Sequence, residues 1–322
     1  MYDSRDAIRF IESHSAYLVL GHKEPDGDCV ASQVTVATLL IALGKTATLC
    51  SAGPFDRPEI SDYGRRFSST IPADRPQGTA VIIVDCSTPD RTGPLGSMIA
   101  GLPCLVIDHH SAGESFGTAR LVDSSAPSTT MLVHQLFEDM GVPFDGEVAR
   151  LMMFGLCTDT GFFRHLGQGG ADTFRAVARL VEHGTSTAEV YMMVYGSRDL
   201  STRKLLAEML TRTESHWNDR LLLTWQLMAD RQRMGAAQRG EDDLYRLLQT
   251  IKENVVVVLI REEKAGMFSV GLRSNSALDV GAIAASFGGG GHRQAAGFDI
   301  PGTLESVRKT LLDAFRSRLE KM

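Results

Sequence analysis

Asp108, His109 and His110 end an apolar run, Leu105-Val106-Ile107, where a buried-looking segment passes straight into three side chains that are costly to desolvate. Three more groups of this kind occur. His22, Asp26 and Asp28 lie within His-Lys-Glu-Pro-Asp-Gly-Asp, Asp85 closes Thr79–Val84, and Asp159 follows an apolar stretch ending at Cys157. Each has an ordinary reading alone. Asp28 could cap a helix, Asp85 could form a turn with Ser87 and Thr88, the adjacent histidines could be surface residues, and Asp159 could end a helix. An acid at a helix C-terminus opposes the helix dipole, however, which calls for a positive partner. Calcium binding of the EF-hand kind fails, because the twelfth position counted from Asp26 is Ala37.

Taken together, these carboxylates and imidazoles form a mixed oxygen and nitrogen shell for divalent cations. Carboxylates favour Mg²⁺ or Mn²⁺ and imidazole pulls toward Mn, Fe, Co or Zn, so Mn²⁺ suits both. So many acids need more than one cation to neutralise them. Two dications ~3.5–4 Å apart would lower the pKa of a bridging water and clamp a phosphorus centre, the chemistry of phosphate-ester hydrolysis. A separate group, Arg273-Ser274-Asn275 with Gly288–Gly291, His292 and Arg293, reads either as a flexible glycine loop or as an anion site of bare backbone amides with two added donors.

The elements that must position these groups follow from the apolar pattern. Tyr17–Gly21, Thr46–Cys50, Ala80–Asp85 and Cys104–Asp108 predict buried parallel strands; Val30–Leu43, Ser128–Met140 and Glu147–Cys157 predict helices. The clusters therefore fall at strand carboxyl ends, the ligand edge of an open α/β sheet. Residues 185–212 predict a largely helical connector. A hairpin turning at Asn218-Asp219, a helix over about 241–252, a hairpin of Val255–Arg261 with Phe268–Arg273, a short helix after Asp279 and a closing helix from about Leu304 then follow. The expected organisation is a larger N-terminal α/β domain over 1–184, with a mainly parallel sheet and helices on both faces, a linker over 185–212, and a smaller α/β domain over 213–322.

A length of 322 residues accommodates two cores. A net charge of −6 with scattered Lys and Arg argues against a protein that coats long nucleic acid, but leaves room for a small phosphorylated substrate held through metal. Five cysteines, widely spaced and without C-x-x-C, predict free thiols and a cytoplasmic location. Neither a signal peptide nor a membrane span is predicted. Cys29, Cys86 and Cys157 lie near proposed ligands; they read as metal-trapping or redox thiols, or as core residues, and strand alternation turns Cys86 toward the core. G-x-S-x-G, H-E-x-x-H and the P-loop are absent, the last by Leu39 where Ala42-Leu43-Gly44-Lys45-Thr46 would need an upstream glycine.

In this order and spacing, from residue 22 to 297, the motifs resemble the DHH phosphoesterase superfamily, in the branch carrying a DHHA1 second domain. The chain is similar there to the bifunctional oligoribonuclease (nanoRNase) and pAp phosphatase group. The resemblance implies an enzyme that cuts short single-stranded RNA or DNA oligonucleotides to mononucleotides and dephosphorylates 3'-phosphoadenosine 5'-phosphate (pAp). Cyclic dinucleotides or their linear products are the alternative substrates, and a homodimer is left open. It further implies two Mn²⁺ ions, with Mg²⁺ or Co²⁺ as substitutes. His22, Asp26 and Asp85 would hold one, and Asp28, Asp85, His109 and Asp159 the other, with Asp85 bridging. Asp108 would support a histidine and His110 would face the scissile phosphate. Arg273, Asn275, Gly289, Gly290, Gly291 and His292 would grip the rest of the substrate. Departures are Cys29-Val30-Ala31-Ser32, where relatives have a small Ala and then Gly before Ser, and Met131, where relatives place an acid; both bear on substrate preference.

Overall fold

The structure, a computed structural model, describes residues 2–111, 113–167, 170–196, 198–235 and 240–320. It divides into two compact units, Met1–Ser197 and Arg198–Met322.

The first unit contains, in order, α1 (Arg5–Ser13), β1 (Ala16–Leu20), α2 (Gly27–Ala42), β2 (Thr46–Cys50), β3 (Ala80–Val84), α3 (Leu95–Met98), β4 (Cys104–Asp108), β5 (Ala119–Val122), α4 (Thr129–Asp139), α5 (Gly146–Asp159), α6 (Ala171–Glu182) and α7 (Thr187–Tyr195). The strands run parallel in the order β2-β1-β3-β4-β5. β1 and β3 are buried at every position, as expected where both sheet faces are covered. Tyr17, Val19, Ile82 and Val84 pack with side chains of α1, α2, α4 and α5. Leu18, Leu20, Val81 and Ile83 pack on the other face, with Cys86, Ile99 and Leu95 of α3. The strand order reverses direction between β1 and β3, and open α/β sheets bind ligands outside the strand carboxyl ends at such a switch point. β1 stops just short of His22 and β3 just short of Asp85.

Two local readings are corrected. α2 starts at Gly27, ahead of the predicted Val30, because Asp26 and not Asp28 is its cap: the Asp26 carboxylate accepts from Cys29 N at 3.0 Å. Asp28 lies in the first turn, turned into the protein. β5 lies outside the predicted strands, since in Ala-Arg-Leu-Val only Leu121 is buried and no apolar run marks this sheet edge.

The second unit comprises α8 (Leu200–Thr211), β6 (Glu214–His216), β7 (Leu221–Gln226), α9 (Met228–Met234), α10 (Glu241–Leu248), β8 (Val256–Lys264), β9 (Met267–Ser274), α11 (Val280–Ser286), β10 (Gly290–His292), β11 (Ala295–Pro301) and α12 (Leu304–Leu319). Its sheet runs β10-β11-β9-β8-β7-β6, parallel only between β7 and β8. α11 and α12 cover one face against Val258, Val270, Leu272 and Phe298. α8 and α10 cover part of the other through Leu205, Met209, Leu244 and Tyr245, which pack on Leu222, Val257 and Leu259. Within the predicted connector, α7 packs in the first core through Val190 and Val194, whereas α8 packs in the second. The glycine run is an ordered turn followed by an edge strand. Gly288 N and Gly289 N donate to Ala285 O and Ala284 O, both at 3.0 Å, so these two amides end α11 instead of standing bare for an anion.

Candidate metal centre and active site

Asp85 takes a left-handed backbone conformation, φ +57°, that Asp tolerates better than most residues, and its N–H donates to Ile107 O at 2.9 Å. The turn sets its carboxylate among three imidazoles. Oδ2 is 3.5 Å from His22 Nε2, and Oδ1 is 3.8 Å from both His109 Nε2 and His110 Nδ1. His22 Nε2 is also 3.8 Å from Asp26 Oδ1, and His109 Nε2 is 3.3 Å from Asp159 Oδ2. His22 Nδ1 lies 2.8 Å from Lys23 O and His109 Nδ1 lies 3.3 Å from Ala126 O. These backbone bonds take up Nδ1 and leave Nε2 facing the acids, the orientation a metal-ligating histidine needs.

Asp28 is 1% exposed and accepts from Thr129 N at 2.7 Å, from Thr130 N at 3.0 Å and from Thr130 Oγ1. Its carboxylate thus occupies the N-terminus of α4, whose dipole favours a negative group. Thr129 Oγ1 donates to Asp85 Oδ1 at 2.9 Å. These threonines are the site residues that sequence reasoning missed. Ser128-Thr129-Thr130 signals a helix start, and Ser128 does cap α4, but nothing in the spacing tells which carboxylate the free helix end receives.

Asp108, 3% exposed, accepts from His110 Nδ1 at 2.7 Å and from His110 N at 3.3 Å. It therefore supports His110, and this bond raises the His110 pKa above the ordinary value. The three residues closing β4 have separate partners: Asp108 holds His110, while His109 leans on Ala126 and faces Asp159.

Burial drives the Asp28 pKa well up, and the charges of Asp85 and Asp159 push the same way. Burial likewise lifts Asp159 to about 6; His109 offsets this in part, while Asp85 and Asp26 add to it. Among the described residues no lysine or arginine pairs with these acids within 4 Å, so the ion pairs they make are with histidines. Three sets, His22-Cys29-Asp85, Asp85-His109-His110 and Asp28-His109-Asp159, each bring one ligand atom per residue within 4.8 Å of one another. An uncompensated carboxylate and imidazole cluster fits divalent cations, and Asp85 belongs to two of the three sets. Cys29 is fully buried, with its thiol held up at about 11 by burial, and its Sγ lies 3.7 Å from Gln33 Oε1. Cys86 and Cys157 pack in the apolar cores. Among the described residues no helix is long and apolar enough to cross a membrane.

In the second unit Arg273, Gly289, Gly290 and Gly291 line a cavity of about 650 Å³. The Arg273 guanidinium lies 4.6 Å from the Tyr245 ring centroid. Asn275 Nδ2 donates to Gln249 O at 3.0 Å, and His292 ends β10 exposed.

A family model described as the DHH family, N-terminal domain, matches residues 16–156, and a DHHA1 domain model matches residues 235–321. The chain is 30% identical to the bifunctional oligoribonuclease and PAP phosphatase NrnA of Thermus thermophilus, over 93% of this chain and 89% of that protein. Its fold is similar to an exopolyphosphatase-related protein of Bacteroides fragilis, with a TM-score of 0.86 at 21% identity, covering 99% of both chains. It is also similar to RecJ of Thermus thermophilus solved with Mn²⁺, with a TM-score of 0.56 at 15% identity, over 100% of this chain and 55% of that one.

Proposed function

Because the chain belongs to the DHH phosphoesterase superfamily, in the branch with a DHHA1 second domain, we propose that it hydrolyses short RNA oligonucleotides to mononucleotides and pAp to AMP with Mn²⁺. The observation that carries this reading is the Asp85 carboxylate, 3.5–3.8 Å from three histidine nitrogens beside two further buried acids. The relative at 30% identity, named for both activities, supports the substrate class.

His22, Asp26 and Asp85 are the proposed ligands of one cation, and Asp28, Asp85, His109 and Asp159 of the other. Divalent cations bound there would supply Lewis-acid stabilisation of the phosphate and an acidified water at neutral pH. The remaining work belongs to the chain. Thr129 and the α4 N-terminus hold Asp85 and Asp28 in place. Asp108 fixes His110 through Nδ1, so its Nε2 is the atom that donates a proton to the leaving oxygen or neutralises charge on the phosphate. Arg273, Asn275, His292 and Gly289–Gly291 are the proposed contacts of the second unit to the nucleotide's outlying groups.

The test is turnover of a dinucleotide RNA, a 24-residue RNA, pAp and a cyclic dinucleotide by the full chain with Mn²⁺. Rapid cleavage of the dinucleotide and pAp, with slow attack on the long RNA, is expected. Cleavage of the cyclic dinucleotide alone, or of none of the four, overturns the assignment.

A further inference from the structure

Beyond Asp85 the chain does not leave the centre. Cys86, Ser87 and Thr88 lead into a single 3₁₀ turn, Pro89–Thr92, whose last residue is 1% exposed and donates through its hydroxyl to Pro89 O at 2.8 Å. Two neighbouring loops fasten this segment. The N–H of Lys23, the residue after His22, donates to Arg91 O at 2.6 Å, and the N–H of Glu114, on the chain that leaves His110, donates to Ser87 O at 2.9 Å. Arg91 is therefore set between the loop that carries His22 and the loop that carries His110.

Among the described residues of the first unit, Arg91 is the only arginine that is not exposed. Its guanidinium nevertheless makes no ion pair and no hydrogen bond among them. A charge held partly out of water ordinarily has a partner of opposite sign, as Arg212, Arg261 and Arg308 have in the second unit. The charge of Arg91 also reaches His110: the Asp108 bond raises the pKa of that ring, and Arg91 works against the rise. The half-buried guanidinium thus lies near His110 while bonding none of the acids of the centre.

What an uncommitted guanidinium can recognise there follows from the substrates. Each phosphodiester carries a single negative charge. A phosphate monoester carries about −1.5 to −2 at pH 7 and offers one more free oxygen. Arginine presents N–H donors in a fork that fits phosphate oxygens two at a time. We propose that Arg91 binds the phosphate that is removed from monoester substrates such as pAp, holding the oxygen that a phosphodiester has esterified to the neighbouring nucleoside. The first unit thereby carries its own determinant of phosphatase activity relative to diesterase activity. This inference rests on the phosphoesterase reading above.

The test compares Arg91→Ala and Arg91→Lys with wild type in the full chain with Mn²⁺. It measures kcat/KM on pAp and on an RNA dinucleotide without terminal phosphate, and calorimetric binding of inorganic phosphate. Loss of hydrogen bonds between charged groups in Arg91→Ala should lower the ratio of pAp to dinucleotide kcat/KM roughly 10- to 100-fold and weaken inorganic phosphate by a similar factor. Lysine keeps the charge without the fork, so Arg91→Lys should fall between the two. Guanidinium chloride at non-denaturing concentration should restore part of the pAp turnover of Arg91→Ala, which a purely structural role would not allow. Should Arg91→Ala fail to fold by circular dichroism, Arg91→Lys carries the comparison. An unchanged ratio, an equal loss on both substrates, or inorganic phosphate bound as tightly as by wild type overturns the role of Arg91. Should the wild type hydrolyse neither substrate, the functional reading fails, and the phosphate affinities of the variants still decide whether Arg91 binds a phosphate.

Discussion

Thr130→Val tests whether the buried α4 N-terminus sets metal affinity. The Thr130 hydroxyl donates to Asp28, lies 3.0 Å from Ser32 Oγ, and is approached so closely by α5 that a Cβ on Gly155 would come within 2.2 Å of it. Valine has the same shape, so packing survives and only the hydroxyl is lost. A hydrogen bond to a charged group contributes about 1.5–3 kcal/mol, which corresponds to roughly 10- to 100-fold in an equilibrium constant. The hydroxyl lowers the Asp28 pKa against burial and the charges of Asp85 and Asp159, so its removal makes the carboxylate harder to ionise and a poorer ligand. Mn²⁺ affinity measured by calorimetric titration should fall by that factor, in line with the loss expected when an outer-shell partner is removed. Thr130→Ser keeps the hydroxyl and should bind Mn²⁺ within about threefold of wild type. The reasoning fails if Thr130→Val binds Mn²⁺ as tightly as wild type, or if Thr130→Ser loses as much.

Further outcomes follow from the same geometry. Asp85→Asn, which keeps a residue suited to φ +57°, should cut turnover of a dinucleotide at least about a thousandfold, because the central charge contributes several kcal/mol to cation binding; steady-state rates check this. Asp108→Asn should leave Mn²⁺ affinity within a few-fold but lower kcat about 10²- to 10⁴-fold through mispositioned His110, and a change confined to KM would contradict it. His134 is 1% exposed, its Nε2 makes no hydrogen bond and stands 3.8 Å from Glu138 Oε1, and burial lowers its pKa from 6.5 to about 4, with Arg179 and His183 adding to the effect. Its folded pKa lies below the unfolded one, so its stabilising effect is complete above pH 6.5 and is lost as pH falls toward 4. That amounts to about 3 kcal/mol. Urea unfolding of His134→Leu should therefore show a shallower stability decline from pH 6.5 to 4 than wild type; parallel declines would refute the assignment.

The sheet that carries the centre was largely legible because parallel strands buried on both faces must be continuous apolar runs. β2 and β4 occupy Thr46–Cys50 and Cys104–Asp108 as expected, and the costly groups at the run ends mark where the site lies. The cap of α2 was misread because Asp26 and Asp28 satisfy the same rule, and only three-dimensional proximity sends Asp28 to a helix more than 100 residues away. β5 escaped because an edge strand with one buried residue carries no period. The glycine run reads as a loop by composition. It pairs as a strand because β11 offers it a free edge, and the buried Tyr245 beside it is indistinguishable in sequence from a core residue of α10.

The left-handed backbone at Asp85 narrows what evolution can do there. Few residue types enter that conformation cheaply: glycine, asparagine and aspartate lead, and only aspartate brings a negative charge. A swap to glutamate, the usual drift among acidic ligands, would keep the charge but pay in backbone strain and would push the carboxylate outward by a methylene, away from three imidazoles. The position has in effect a one-letter alphabet. Lineages of this fold that abandon hydrolysis should therefore lose the residue outright instead of trading it for a near neighbour, and inactivation at this site would be hard to reverse by any second mutation except the original one.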